Sequence, residues 1–293
     1  MRTFKISHLS DLHLTTDPNG KRFEPKWSGQ LSGMNDAFRH VLASGPVQNS
    51  DLVLVTGDLT DRGDLKTWTH FVRMVAGAGL KSRTLAIIGN HDVCGLNARL
   101  GWPKRLSKID LERACNGLML AGQPYDYPWA KVVDPRVVVF GLDTNNSGNL
   151  SPIDNAVGRI GTHQLQRFSE LLARHRDVPV KIATMHHSPN IPEPATAIRR
   201  GQAPMPLIFR WTHQIPPEDR RAFRNLCIAS KVRLVVHGHL HQAEDRRVNG
   251  LRIIGAPATT EPIDLKAKAK RYRFYQYTVH ANGGRVTVDL VTV

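Results

Sequence analysis

One layout, used five times, constrains this chain more than any other feature: a short apolar run stops and ligand-bearing polar side chains follow at once. The clearest instance is Leu85-Ala86-Ile87-Ile88-Gly89-Asn90-His91-Asp92. A continuous apolar run suits a parallel strand covered on both faces, and residues just past the C-terminal ends of such strands face the usual binding crevice. Packing gives no reason for Asn-His-Asp at that place. The other four instances are Asp11-x-His13 after residues 4–10, Gly57-Asp58 after 52–55, His186-His187 after 180–185, and Gly238-His239-x-His241 after 232–236.

Between these runs the apolar residues take helical spacing. One helix is expected over 28–43 and stopped by Gly45-Pro46. A second, capped by Asp64, runs through Trp68, Phe71 and Val75 to Gly77 or Gly79. Others are expected over 104–115, 163–176 and 218–230. The tail changes character, with strands at 251–254, 272–279 and 286–293 and a hairpin turn at Asn282-Gly283-Gly284. A βα alternation that becomes a meander, without a fixed-period repeat, predicts one α/β domain over 1–293 with two packed sheets and helices outside. Two stretches, near 95–130 and 190–217, break the alternation and read as excursions from the core.

Composition narrows the function classes. No apolar run approaches the length that crosses a bilayer, and residues 1–6 lead straight into a strand with no signal region, so a cytoplasmic location is expected. The three cysteines (Cys94, Cys115, Cys227) are far apart, which argues against a disulfide framework or a cysteine zinc site. Forty Lys and Arg against 25 Asp and Glu leave a net charge of +15. Residues 199–285 hold 17 basic and 6 acidic side chains, or +11 of that total. Such a field favours anionic partners.

The five strand ends carry oxygen and imidazole donors and no thiolate, a set suited to Mn²⁺, Fe or Zn²⁺. In Asp11-x-His13 and His239-x-His241, residues two apart point the same way on extended chain, so both of a pair can reach one ion. Two pairs and a shared carboxylate exceed what one ion can hold, and a two-metal centre follows.

These blocks, Asp-x-His, Gly-Asp, Gly-Asn-His-Asp, His and Gly-His-x-His, occur in order from Asp11 to His241, and the chain thereby resembles the calcineurin-like metallophosphoesterases. The resemblance implies a four-layer α/β/β/α sandwich of two mixed sheets flanked by helices. It implies that Asp11, His13 and His241 hold one metal, that Asn90, His186 and His239 hold the other, and that Asp58 bridges them. His91 would sit over the substrate phosphate as transition-state stabiliser or general acid, with Asp92 orienting it. The implied reaction is in-line attack on phosphorus by a hydroxide bridging two cations, Mn²⁺ and/or Fe with Zn²⁺ an alternative. His8, His187, His237, Asp61, Arg62, Asp64 and Asp143 are set aside as packing, capping or surface groups.

The Ser10-Asp-Leu-His13 start and Val55-Thr-Gly-Asp-Leu-Thr-Asp-Arg-Gly63 look most like the class III cyclic-nucleotide phosphodiesterases, which implies a small phosphodiester or nucleotide-like substrate. One alternative is a pyrophosphatase of the UDP-diacylglucosamine type. The mixture of Met205, Leu207, Ile208, Phe209 and Trp211 with Arg199, Arg200 and Arg210 would suit peripheral contact with an anionic membrane. A proline-stiffened lid packed on the core is the preferred reading of that patch. A nuclease ranks below both, because the nucleases that share these blocks carry extra regions for which there is little room. A non-catalytic scaffold ranks lowest, since every ligand position is filled.

Overall fold

The computed structural model describes residues 2–17, 19–22, 31–93, 96–97, 102–103, 108–146, 156–191, 194–199, 205–207, 210, 213–281 and 284–293. Its strands in chain order are β1 (Phe4–Leu9), β2 (Leu52–Thr56), β3 (Thr84–Ile87), β4 (Leu96–Asn97), β5 (Trp102–Pro103), β6 (Trp129–Asp134), β7 (Val137–Gly141), β8 (Val180–Thr184), β9 (Leu234–His237), β10 (Glu244–Val248), β11 (Leu251–Gly255), β12 (Arg273–Val279) and β13 (Val286–Thr292). Two mixed sheets result, ordered β13-β12-β1-β2-β3 and β10-β11-β9-β8-β7-β6, beside the small β4–β5 pair. β1, β2 and β3 are mutually parallel, as are β7, β8, β9 and β11. Antiparallel pairing completes the β12–β13 side of the first sheet and both edges of the second.

The period of two along the strands sorts their side chains into separate cores. All five residues of β2 are buried. Leu52 and Leu54 enter the core between the sheets, while Val53 and Val55 enter the core under the first sheet's helices. In the second sheet Ile182, Leu234 and Val236 face inward, and Ala183 and Val235 face outward. Helices Met34–Ala43, Leu65–Gly77 and Lys108–Leu120 cover the first sheet through Phe38, Trp68, Phe71 and Leu118. Helices Thr162–Arg174 and Pro217–Ala229 cover the second through Phe168 and Phe223, whose rings stack with centroids 5.7 Å apart. Three apolar cores thus separate four layers, α/β/β/α.

Some boundaries move for local reasons. Asp64 caps its helix as expected, accepting from the Thr67 amide at 2.9 Å. Gly45-Pro46 ends the first helix but starts another, Gly45–Gln48, because proline is tolerated in a first turn. β6 and β10 escape the hydrophobic pattern. Both are edge strands, and β10 reads Glu-Asp-Arg-Arg-Val, the charged composition that blunts an exposed edge.

In the stretch near 95–130, helix Lys108–Leu120 buries Ala114 and Leu118 in the outer layer. In the stretch near 190–217, Ile215 joins the second sheet's outer core and Leu207 stands 78% exposed. Arg210 is buried, whereas Arg200, Ile208, Phe209 and Trp211 lie outside the described residues. Among the described residues no helix is long and apolar enough to cross a membrane.

Candidate metal centre

All five polar blocks follow the C-terminal ends of β1, β2, β3, β8 and β9, at one end of the sandwich. Their backbone is unusual. Seven described non-glycine residues take the left-handed conformation, and five of them are Asp11, His13, Asp58, His239 and His241 (φ 53°, 45°, 50°, 69° and 53°). Each such residue costs about 1–3 kcal/mol, and strain of this kind gathers where side chains must be aimed. Hydrogen bonds hold the turns: the Asp11 amide donates to the Gly57 carbonyl at 3.1 Å, and the His13 amide to the Asp58 carbonyl at 2.9 Å.

Two glycines let the turns close on one another. A methyl group on Gly89 would lie 2.2 Å from Asp58 Oδ1, and one on Gly238 would lie 1.9 Å from Ser10 Oγ. Any side chain at either place would displace a donor.

The donors form two overlapping groups. Asp11, His13, Asp58 and His241 have ligand atoms within 4.8 Å of one another. His241 Nε2 is 3.3 Å from Asp11 Oδ1, and His13 Nε2 is 3.6 Å from Asp58 Oδ2. The same Oδ2 lies 3.3 Å from His186 Nε2. That nitrogen is 2.9 Å from Asn90 Oδ1, which is in turn 3.1 Å from His239 Nδ1. One oxygen of Asp58 therefore faces both groups, while its Oδ1 accepts from the His91 amide at 2.9 Å.

The chemistry of this set fits cations. Asp11, His13 and His186 are fully buried and Asp58 nearly so, and buried carboxylates need positive partners. Neither ring nitrogen of His13 makes a hydrogen bond in the structure, and Nε2, buried and facing Asp58, can offer the one lone pair of a neutral ring to the cluster. Burial, with Arg22 and neighbouring imidazoles adding to it, drives the His13 pKa well below its usual value. Burial and the surrounding histidines do the same to His239. Both are thus neutral rings, the form that ligates metals. Burial opposes charge on Asp58, but His186 and His91 prevail and hold its carboxyl below the usual carboxylate range.

The structure corrects two readings. Asp92 does not orient His91: its carboxylate accepts from the amides of Gly89 (2.9 Å), Leu59 (3.2 Å) and Thr60 (2.8 Å) and from Thr60 Oγ1 (2.9 Å). The two residues are neighbours in a short helix, Asn90–Val93, where consecutive side chains do not face each other. Asp92 instead ties the loop after β3 to the loop after β2. The His91 ring is positioned by Asp61, whose carbonyl lies 3.0 Å from His91 Nδ1. Asp61 is buried, with Oδ1 3.3 Å from His13 Nδ1, so its reading as a turn cap or surface group is also corrected. Its spacing three residues past Asp58, in the same turn, is the signal that could have found it.

Arg22 has no such signal, since it follows a loop rich in proline, glycine and charge. It is 4% exposed, and its guanidinium approaches His241 Nδ1 at 2.8 Å and Glu261 at 3.6 Å. Of the groups set aside in the sequence, His8, His237 and His187 bond to partners outside the donor set. His8 bonds Tyr277 and Thr56, and His237 Nδ1 faces the Gly238 carbonyl. His187 bonds Thr144, although its ring packs 4.4 Å from that of His239.

A mixed α/β/β/α sandwich with buried carboxylates, an amide and imidazoles converging at its strand ends defines a metal-dependent phosphoester hydrolase. The chain belongs to the calcineurin-like phosphoesterase family, which it matches over residues 4–243. It is 24% identical over 293 aligned residues to a probable cyclic nucleotide phosphodiesterase of Psychrobacter arcticus, covering 96% of this chain and 91% of that one. It is 26% identical over 210 residues to a 3′,5′-cyclic adenosine monophosphate phosphodiesterase of Pseudomonas aeruginosa, covering 71% of this chain and 61% of that one. Among solved structures, a dimetal phosphatase from Danio rerio superposes with a TM-score of 0.57 at 14% identity, covering 99% and 98% of the two chains. That likeness concerns the fold.

Proposed function

We propose that this chain hydrolyses phosphodiesters, with cyclic nucleotides the favoured substrate class, at a centre built for two cations. Asp11, His13 and His241 would hold one, Asn90, His186 and His239 the other, and Asp58 both. The observation that carries this reading is the single Asp58 oxygen facing His13 at 3.6 Å and His186 at 3.3 Å. Two cations, Mn²⁺ and/or Fe with Zn²⁺ as alternative, supply Lewis acidity: they lower the pKa of a water and neutralise charge on phosphoryl oxygens.

The protein's own groups supply the rest. Asn90 is a neutral ligand, so the site keeps more positive charge for an anionic substrate than a third carboxylate would allow. The Asp61 carbonyl can only accept, so His91 carries a proton on Nδ1 in that contact and exchanges its other proton through Nε2. His91 is the proton donor for the leaving oxygen. Arg22, buried beside His241, adds a fixed positive charge next to that proposed ligand. The cyclic-nucleotide assignment draws on the named activities of the relatives; peripheral contact with an anionic membrane remains the second reading, favoured by Ile198 and Leu207 at 62% and 78% exposure.

The test is a chelated, metal-free preparation reloaded with Mn²⁺, Fe²⁺ or Zn²⁺ and assayed on bis(p-nitrophenyl) phosphate, p-nitrophenyl phosphate and 3′,5′-cyclic AMP. Metal-restored hydrolysis of both diesters is expected. Restored hydrolysis of the monoester alone would overturn the phosphodiesterase reading.

A further inference from the structure

At the far end of the second sheet, where β8 and β9 begin, the surface encloses a hollow of about 590 Å³. Strand β8 separates it from the metal centre: five residues lead from Lys181 in its wall to His186, about 16 Å of extended chain. The wall includes seven cationic side chains, Arg176, Lys181, Lys231, Arg233, Arg247, Arg252 and Arg285, against one acid, Asp177. They come from the turn after helix Thr162–Arg174, from β8, from the turn before β9, from the β10–β11 hairpin and from the residue before β13, so chain distant in sequence gathers like charge around one space. Five of the seven fall within the basic stretch 199–285.

Some of these charges are satisfied locally. Arg252 makes a two-pronged pair with Asp245 at 2.9 and 2.6 Å. Buried Lys181 donates to the carbonyls of Arg176 and Val178 at 2.8 and 3.0 Å, pinning the wall in place. Lys231, Arg233, Arg247 and Arg285 have no carboxylate partner among the described residues. Four cations converging on a concavity repel one another unless an anion lies among them.

We propose that this hollow is a second binding site, separate from the metal centre, for a small anion carrying two or more phosphate groups. Its volume falls in the range of small-ligand pockets, roughly 300–1,000 Å³. Its wall has no aromatic side chain on which a base could stack, so charge and phosphate geometry are what it reads. Arginine forks give the bidentate contacts that phosphate oxygens favour. The inference does not depend on the phosphodiesterase reading.

Calorimetric titration of the metal-loaded full chain with inorganic tripolyphosphate tests it. A binding event is expected that Arg233→Glu/Arg285→Glu weakens at least tenfold while bis(p-nitrophenyl) phosphate hydrolysis and the melting temperature stay unchanged. Lys66→Glu/Arg73→Glu, an equal charge change on the first sheet's outer helix, should leave binding intact. If the glutamate pair melts early, Arg233→Gln/Arg285→Gln carries the comparison. Equal affinity in wild type and the Arg233/Arg285 variant, or equal loss in the Lys66/Arg73 control, overturns the site. Co-sedimentation with phosphatidylglycerol vesicles without tripolyphosphate binding would reassign it to a membrane surface.

Discussion

His91 is the residue whose removal should separate chemistry from metal binding, and Arg22 tests the charge beside His241. His91→Ala leaves the proposed metal ligands in place, so metal content should hold while kcat on bis(p-nitrophenyl) phosphate falls by roughly 10²–10⁴-fold, the usual range for a general acid. Retention of near-full kcat would show that another group donates the proton. Arg22→Met keeps much of the side chain's bulk and removes its charge. A charge-assisted contact of about 1.5–3 kcal/mol to His241 predicts a loss in kcat/KM on the order of 10- to 100-fold. Unchanged kcat/KM would leave Arg22 a purely structural partner of His241 and Glu261. Asp61 belongs to the other side of this division. Its carboxylate faces His13 Nδ1 at 3.3 Å, so Asp61→Ala should weaken metal affinity by roughly 10–100-fold, as removal of a group behind a ligating imidazole does. Equilibrium dialysis with Mn²⁺ distinguishes the outcomes, and equal affinity in the variant would place Asp61 with His91 alone.

The strand-end turns are the elements that decide whether the donors meet. Gly89→Ala puts a methyl group 2.2 Å from Asp58 Oδ1, so metal binding should be lost and stability lowered by about 1–3 kcal/mol, read by urea unfolding. Normal metal content in that variant would mean the turn can yield. Most of these elements were legible in the residues. Runs such as Leu52-Val-Leu-Val55 signal parallel strands directly, and Asp64 marks its helix start as a local hydrogen bond that needs nothing from the rest of the fold. Edge strand β10 was not legible, since its residues satisfy the ladder through backbone groups while their side chains stay charged. The site divides in the same way. The proposed ligands Asp11, His13, Asp58, Asn90, His186, His239 and His241 stand out in the sequence because each follows closely on the end of an apolar run. Asp61 carries a signal only in its spacing from Asp58, Arg22 carries none because its placement depends on how separate turns fold over one another, and the bonds of Asp92 to the loop after β2 show that adjacency to His91 in sequence is not contact in space.

At the level of the whole molecule, burial links stability to acidity. His8, buried between Tyr277 and Thr56, has its pKa lowered to about 3 by burial first and by His237 second. In the unfolded chain it takes up a proton near pH 6.5, so between about pH 6.5 and 3 the unfolded state binds more protons than the folded one. Stability should be full above pH 6.5 and decline as pH falls through that window. A His8→Gln variant should show a flatter melting temperature between pH 7 and 4; an identical slope would assign the decline to other groups. The three apolar cores bring the ends of five strands to one place, and the left-handed turns there cost stability that bound cations would offset. The most direct test of that arrangement is elemental analysis of purified wild type and Asp58→Ala, each assayed in parallel on bis(p-nitrophenyl) phosphate. Two metal ions per active wild-type chain, with both metal and turnover lost in Asp58→Ala, is the predicted result; full turnover in Asp58→Ala, or in wild type stripped of metal, would contradict it.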